Sequence, residues 1–180
     1  MDVGAKVAIT FLAIIIVIMV LLIVLITQYK KRVERTSDPF PQVVRDAAVK
    51  AVPESSEFDM IVVSGVKDAI TSAKGYERIQ SGYDSLPNYI FCYRGDEIYI
   101  MGAKYSSRKS IDVDTDLILH FTKGQLQSVK IGTAGKILLF FKDSKRFFAM
   151  AAGKVVIAPQ QEEYDSFMCY IKDLAAEVNG

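Results

Sequence analysis

The sequence predicts an α+β chain: a single N-terminal transmembrane helix, then a seven-stranded antiparallel barrel capped by a C-terminal helix. Three observations carry this. An unbroken apolar run fills 7–27, short β-branched and aromatic runs separated by turn residues fill 88–158, and apolar residues at helical spacing fill 160–178. The first pattern has the length of a bilayer crossing, the second the period of strands, and the third the period of a helix with one buried stripe.

Residues 7–27 read VAITFLAIIIVIMVLLIVLIT, 21 residues without charge, proline or glycine. At about 1.5 Å per residue they span roughly 31 Å, close to the ~30 Å hydrocarbon thickness of a bilayer. A cleaved signal peptide fits less well, because no small-residue cleavage site follows; the next residues are Gln28, Tyr29, Lys30, Lys31 and Arg32. Residues 1–6 are then an extracytoplasmic tip. The basic cluster Lys30, Lys31, Arg32 and Arg35 predicts a plasma-membrane protein with its N-terminus outside and its C-terminal domain in the cytoplasm. Gly4 and Ala8 form one small-residue pair suited to helix association.

Segment 28–57 is expected to be a basic juxtamembrane stretch and linker. Pro39 and Pro41 break it, and Val43, Val44, Ala47, Ala48 and Ala51 recur at helical spacing within it. A folded domain is expected over 58–180. Residues 58–65, FDMIVVSG, read as a strand, and Ser64 is placed to cap a helix running from near Val66 to Tyr76. Then come runs at 89–93, 97–101, 115–121, 125–131, 136–141, 146–151 and 154–158, a meander of seven strands. Gly95-Asp96, Lys123-Gly124, Gly132 to Gly135, Asp143-Ser144 and Gly153 supply the turns. Pro159 opens the last helix, in which Tyr164, Phe167, Met168, Ile171, Leu174, Ala175 and Val178 form the apolar stripe.

The meander and helix, above all DLILHFTKGQLQSVKIGTAGKILLFFKDSKRFFAM followed by 160–178, resemble the bacterial members of the pleckstrin-homology-like superfold. The resemblance implies a barrel closed by a helix and a binding role. Eukaryotic members carry a tryptophan in that helix, where Phe167 and Tyr170 stand here, and clustered basic residues in the first hairpin, where Arg94 stands alone. It therefore implies the fold more than lipid binding.

Composition excludes a nucleic-acid binder: the chain has 22 Lys plus Arg against 21 Asp plus Glu, too balanced to neutralise phosphates. Cys92, in a strand, and Cys169, in a helix, read as buried reduced thiols, with a disulfide between them as the alternative. The lone His120 makes neither metal site nor triad, and no cofactor is implied. Asp112, Asp114 and Asp116 begin like a calcium loop, but Leu117 and Lys123 stand where it needs glycine and glutamate, so they read as a solvated acidic turn. Gly132 to Lys136 reads as a hairpin turn, since Ile137 replaces the hydroxyl that a phosphate loop requires.

The expected function is a non-enzymatic module for protein interaction or self-assembly at the membrane, with the bilayer, partner membrane proteins or copies of itself as partners. The alternative is acidic-lipid headgroup binding by Lys30, Lys31, Arg32, Arg35, Lys104, Arg108 and Lys109. A small-ligand enzyme using Asp112 to Asp116 is the remote third.

Overall fold

A computed structural model describes Met19 and residues 40–66, 75–79, 88–107, 110–142 and 144–180. Helix α1 spans Phe40–Ala51 and helix α2 spans Gln161–Asn179. Between them run β1 (Asp59–Gly65), β2 (Glu77–Arg78), β3 (Asn88–Arg94), β4 (Glu97–Ser107), β5 (Ser110–Thr122), β6 (Leu126–Ile131), β7 (Lys136–Phe141) and β8 (Arg146–Ala151). They form one sheet in the order β5-β4-β3-β1-β8-β7-β6. Its ladders are antiparallel except for the two-residue pairing of β2 with β8. Strand order and closing helix are compatible with a pleckstrin-homology-like fold.

Among the described residues no helix is long and apolar enough to cross a membrane. α1 has 12 residues, and α2 carries Glu162, Glu163, Asp165, Lys172, Asp173 and Glu177. The expectation of a transmembrane, single-pass protein at the plasma membrane with a cytoplasmic domain is corrected accordingly. The stretch 7–27 behind it lies, Met19 apart, outside the described residues, as does most of the helix expected after Val66.

The expected seven-strand barrel is corrected too. β1, read as a strand outside the meander, sits at the centre of the sheet between β3 and β8. Residues 154–158 form no strand, only a bridge from Val155 to Pro159. The side of β8 that they would have filled is taken by β1, through Ser64 with Ala151 and Gly65 with Met150, and by β2, through Glu77 with Arg146 and Arg78 with Phe147. Ser64 is a ladder residue whose Oγ donates to Asn88 Oδ1 (3.3 Å), while residues 67–74 of the helix it was expected to cap lie outside the described residues.

Apolar runs replace strict alternation in β1 and β3 because both faces of these strands are buried. Ile61, Val63, Tyr89, Phe91 and Tyr93 face a core shared with β6, β7, β8 and the Phe167, Ile171 and Leu174 stripe of α2. Met60, Val62, Ile90 and Cys92 face a second core under Phe40, Val44 and Ala48 of α1. A smaller cluster of Leu138, Phe140, Phe147 and Ala149 lies on the outer face of β7 and β8. The end strands β5 and β6 are consecutive, joined by a 3-10 turn at Lys123–Gln125. Phe121 of β5 packs edge-on against Phe141 of β7 (5.0 Å), so the sheet curls around the first core without a ladder between β5 and β6.

The β6–β7 turn needs two successive left-handed residues, Ala134 (φ 56°) and Gly135 (φ 71°), the geometry of a tight hairpin matched to strand twist. A Cβ on Gly135 would lie 2.2 Å from the Ala152 carbonyl oxygen. Gly135→Ala therefore combines left-handed strain with a backbone clash and should cost about 2–4 kcal/mol in urea unfolding.

Candidate functional site

β1 has two unequal edges. One pairs with β3 from Asp59 opposite Tyr93 to Ser64 opposite Asn88. The other meets β8 only at Ser64 and Gly65, after which the two strands part. Residues of an antiparallel strand turn their N–H and C=O alternately to either side. Val66 N–H donates to Ala149 C=O on β8 (3.2 Å), so Val62 and Met60 also point away from β3.

Gln160 occupies the first vacant position. Its Oε1 accepts from Val62 N–H (3.1 Å), and its Nε2 donates to Val62 C=O (2.8 Å) and Gly153 C=O (2.9 Å). The carboxamide stands where the peptide group of a neighbouring strand would stand, and at 4 % exposure it is shielded from water. Asn179, at the far end of α2, repeats the device on β6: Oδ1 accepts from Val129 N–H (3.0 Å) and Nδ2 donates to Val129 C=O (2.8 Å). Lys123 draws the same end of the helix toward the β5–β6 corner, reaching Glu177 (3.0 Å) and Asp96 (3.5 Å). The hydrogen bond to Glu177 raises its pKa.

Two residues along from Val62, the strand edge opens into a cleft between α1, β1 and the start of α2. Its inner end, about 120 Å³, is lined by Phe40, Val44, Met60 and Gln160 among others. Its outer end, about 290 Å³, is lined by Asp59, Tyr93, Glu162 and Ser166. Arg45, Met60 and Glu163 line both. Arg45 Nη1 donates to Ser56 C=O (2.8 Å). Tyr93 Oη donates to Ser166 Oγ (3.2 Å), and its ring stacks on Tyr170 (4.3 Å). Burial raises the Tyr93 pKa, opposed by the Ser166 hydrogen bond, so the phenol stays neutral. The cleft therefore offers hydrogen bonds, three carboxylates and one guanidinium.

Of the residues expected to meet lipid headgroups, Lys30, Lys31, Arg32, Arg35, Arg108 and Lys109 lie outside the described residues. Lys104 Nζ bonds Asp114 Oδ2 (2.7 Å). Asp112, Asp114 and Asp116 lie in β5 at an irregularity of its ladder with β4, where the register shifts between Met101 and Gly102. His120 is exposed and stacks flat on Tyr99 (4.2 Å, 5°). Among the described residues no group of three His, Cys, Asp or Glu could hold a metal ion.

Sequence reasoning missed Arg45, Asp59, Gln160 and Glu163. One signal was present: glutamine at a helix N-cap, where Ser, Thr, Asp or Asn is preferred, indicates a side chain engaged elsewhere. Protein-family models, curated proteins and solved structures supply no match to the chain.

Gln160→Leu leaves the Val62 N–H and C=O buried without partners and should cost about 2–4 kcal/mol in urea unfolding. The two cysteines are free, Cys92 buried and Cys169 exposed. Cys169 falls on the solvent side of α2, between the buried Phe167 and Ile171, which corrects the expectation that both are buried. Burial pushes the Cys92 thiol up to about 12, against a smaller lowering by Arg45. Since the thiolate is the reactive form, brief iodoacetamide treatment at pH 8 should alkylate Cys169 and spare Cys92, read by peptide mass spectrometry.

Proposed function

We propose that the chain is a pleckstrin-homology-like interaction module that self-associates by strand pairing along β5. The supporting observation is the state of its strand edges. Gln160 occupies β1 at Val62, and Asn179 occupies β6 at Val129. β5, 13 residues long, ends the sheet, and among the described residues no strand lies on its outer side. The β4–β5 register pairs Phe121 with Ile98 and Leu119 with Ile100. Followed across from the β1–β3 ladder, these are the hydrogen-bonded pairs, so Ile118 and His120 turn their N–H and C=O outward.

An open edge is a template for another strand. A second copy satisfies it through a two-fold axis, because an antiparallel strand is complementary to itself under that symmetry. A contact of a few residues gives a small interface, and the association is therefore weak and reversible. The acidic-lipid reading draws less support, since Lys104 is engaged with Asp114.

The test is cross-linking and sedimentation of the full chain in a mild non-ionic detergent. A dimer is expected, and His120→Pro should abolish it, since the proline removes an outward N–H without touching the ladder to β4. Circular dichroism verifies that the variant is folded. A wild-type chain that stays monomeric at its highest soluble concentration rejects the proposal.

A further inference from the structure

We propose that the cleft between α1, β1 and the start of α2 is a second docking site, which takes an extended, lysine- or arginine-bearing segment of a partner protein. The segment would pair with β1 at Met60, the one position between Val62, held by the Gln160 carboxamide, and Phe58, whose N–H already donates to the Ser55 carbonyl. This site is separated from β5 by β3 and β4 and does not rest on self-association.

Two independent features point to this ligand. The first is the backbone of Met60. The residue lines both ends of the cleft, its N–H and C=O turn away from β3 by the same alternation that directs Val62 to Gln160, and among the described turn, loop and side-chain hydrogen bonds none reaches either group. An N–H and C=O left open on a strand edge are a template for another strand. The partner that fits this donor and acceptor, at the next position of a ladder already begun by a carboxamide, is another peptide group.

The second is the charge and space of the walls. Asp59, Glu162 and Glu163 outnumber Arg45, which is engaged with the Ser56 carbonyl. The outer end, at about 290 Å³, has room for a long side chain. Side chains of a paired strand alternate between the two faces of the sheet. Those on the face covered by α2 therefore run toward Glu162 and Glu163, where a Lys or Arg finds its countercharge.

Fluorescence anisotropy of the full chain in non-ionic detergent tests this with a labelled decapeptide of alternating Lys and Thr, against one of alternating Glu and Thr. Saturable binding of the basic peptide alone is expected. Glu162→Gln with Glu163→Gln should weaken it about tenfold, and N-methylation of every second peptide residue should abolish it. Amide exchange at Met60 should slow when the peptide is bound. Equal binding of both peptides, an unchanged affinity of the double variant, or no binding at all overturns the proposal, as does binding that leaves the Met60 amide unprotected. His120→Pro should leave peptide binding intact, which separates this site from the β5 edge.

Discussion

The constraint on which the rest of this fold depends is the pairing of backbone groups where the sheet divides. β1 is central for two residues and an edge for the remainder, because β8 turns away after Ser64 and Gly65. An N–H and C=O left there would be buried without a partner, at a cost of about 1–3 kcal/mol per group. Gln160 removes that cost at Val62 with both halves of its carboxamide, and Asn179 does the same for Val129 at the sheet's other end. These side chains bracket α2, one immediately before Gln161 and one at its last residue.

α2 consequently holds the sheet in two ways. Its apolar stripe fills the first core, with Phe167 edge-on against Phe91 at 5.1 Å, and this burial supplies most of the attraction. The two carboxamides add little net energy by comparison but fix the helix's position along the sheet, since each fits one peptide group of one strand. Burial is non-directional and the amide pairs are directional. The cleft beside Met60 follows from that placement, because Gln160 stops one ladder position short of it.

The parts of the fold legible in the sequence were those governed by local period. The stripe Tyr164, Phe167, Ile171 and Leu174 announces α2, and the runs from Tyr89 to Ala151 announce six strands. Long-range competition was not legible. Residues 154–158 have strand composition, yet Val155 is 66 % exposed, because β1 and β2, distant in sequence, already hold the side of β8 where such a strand would pair. The cleft was not legible because Arg45, Asp59 and Glu163 belong to three elements whose meeting depends on that strand order. Only Gln160, out of place as a cap, marked it locally.

The Val62–Gln160 pair joins residues 98 positions apart, which bears on the order of assembly. β3, β4 and β5 can form their hairpins as soon as they exist, since their partners are neighbours in the chain. The inner side of β1 acquires its final neighbours only once β8 and α2 have been synthesised. Until then an apolar strand near the start of the domain presents an unfinished edge. Closure of so long a loop is slow relative to hairpin formation, and the nascent domain is most exposed to mispairing in that interval.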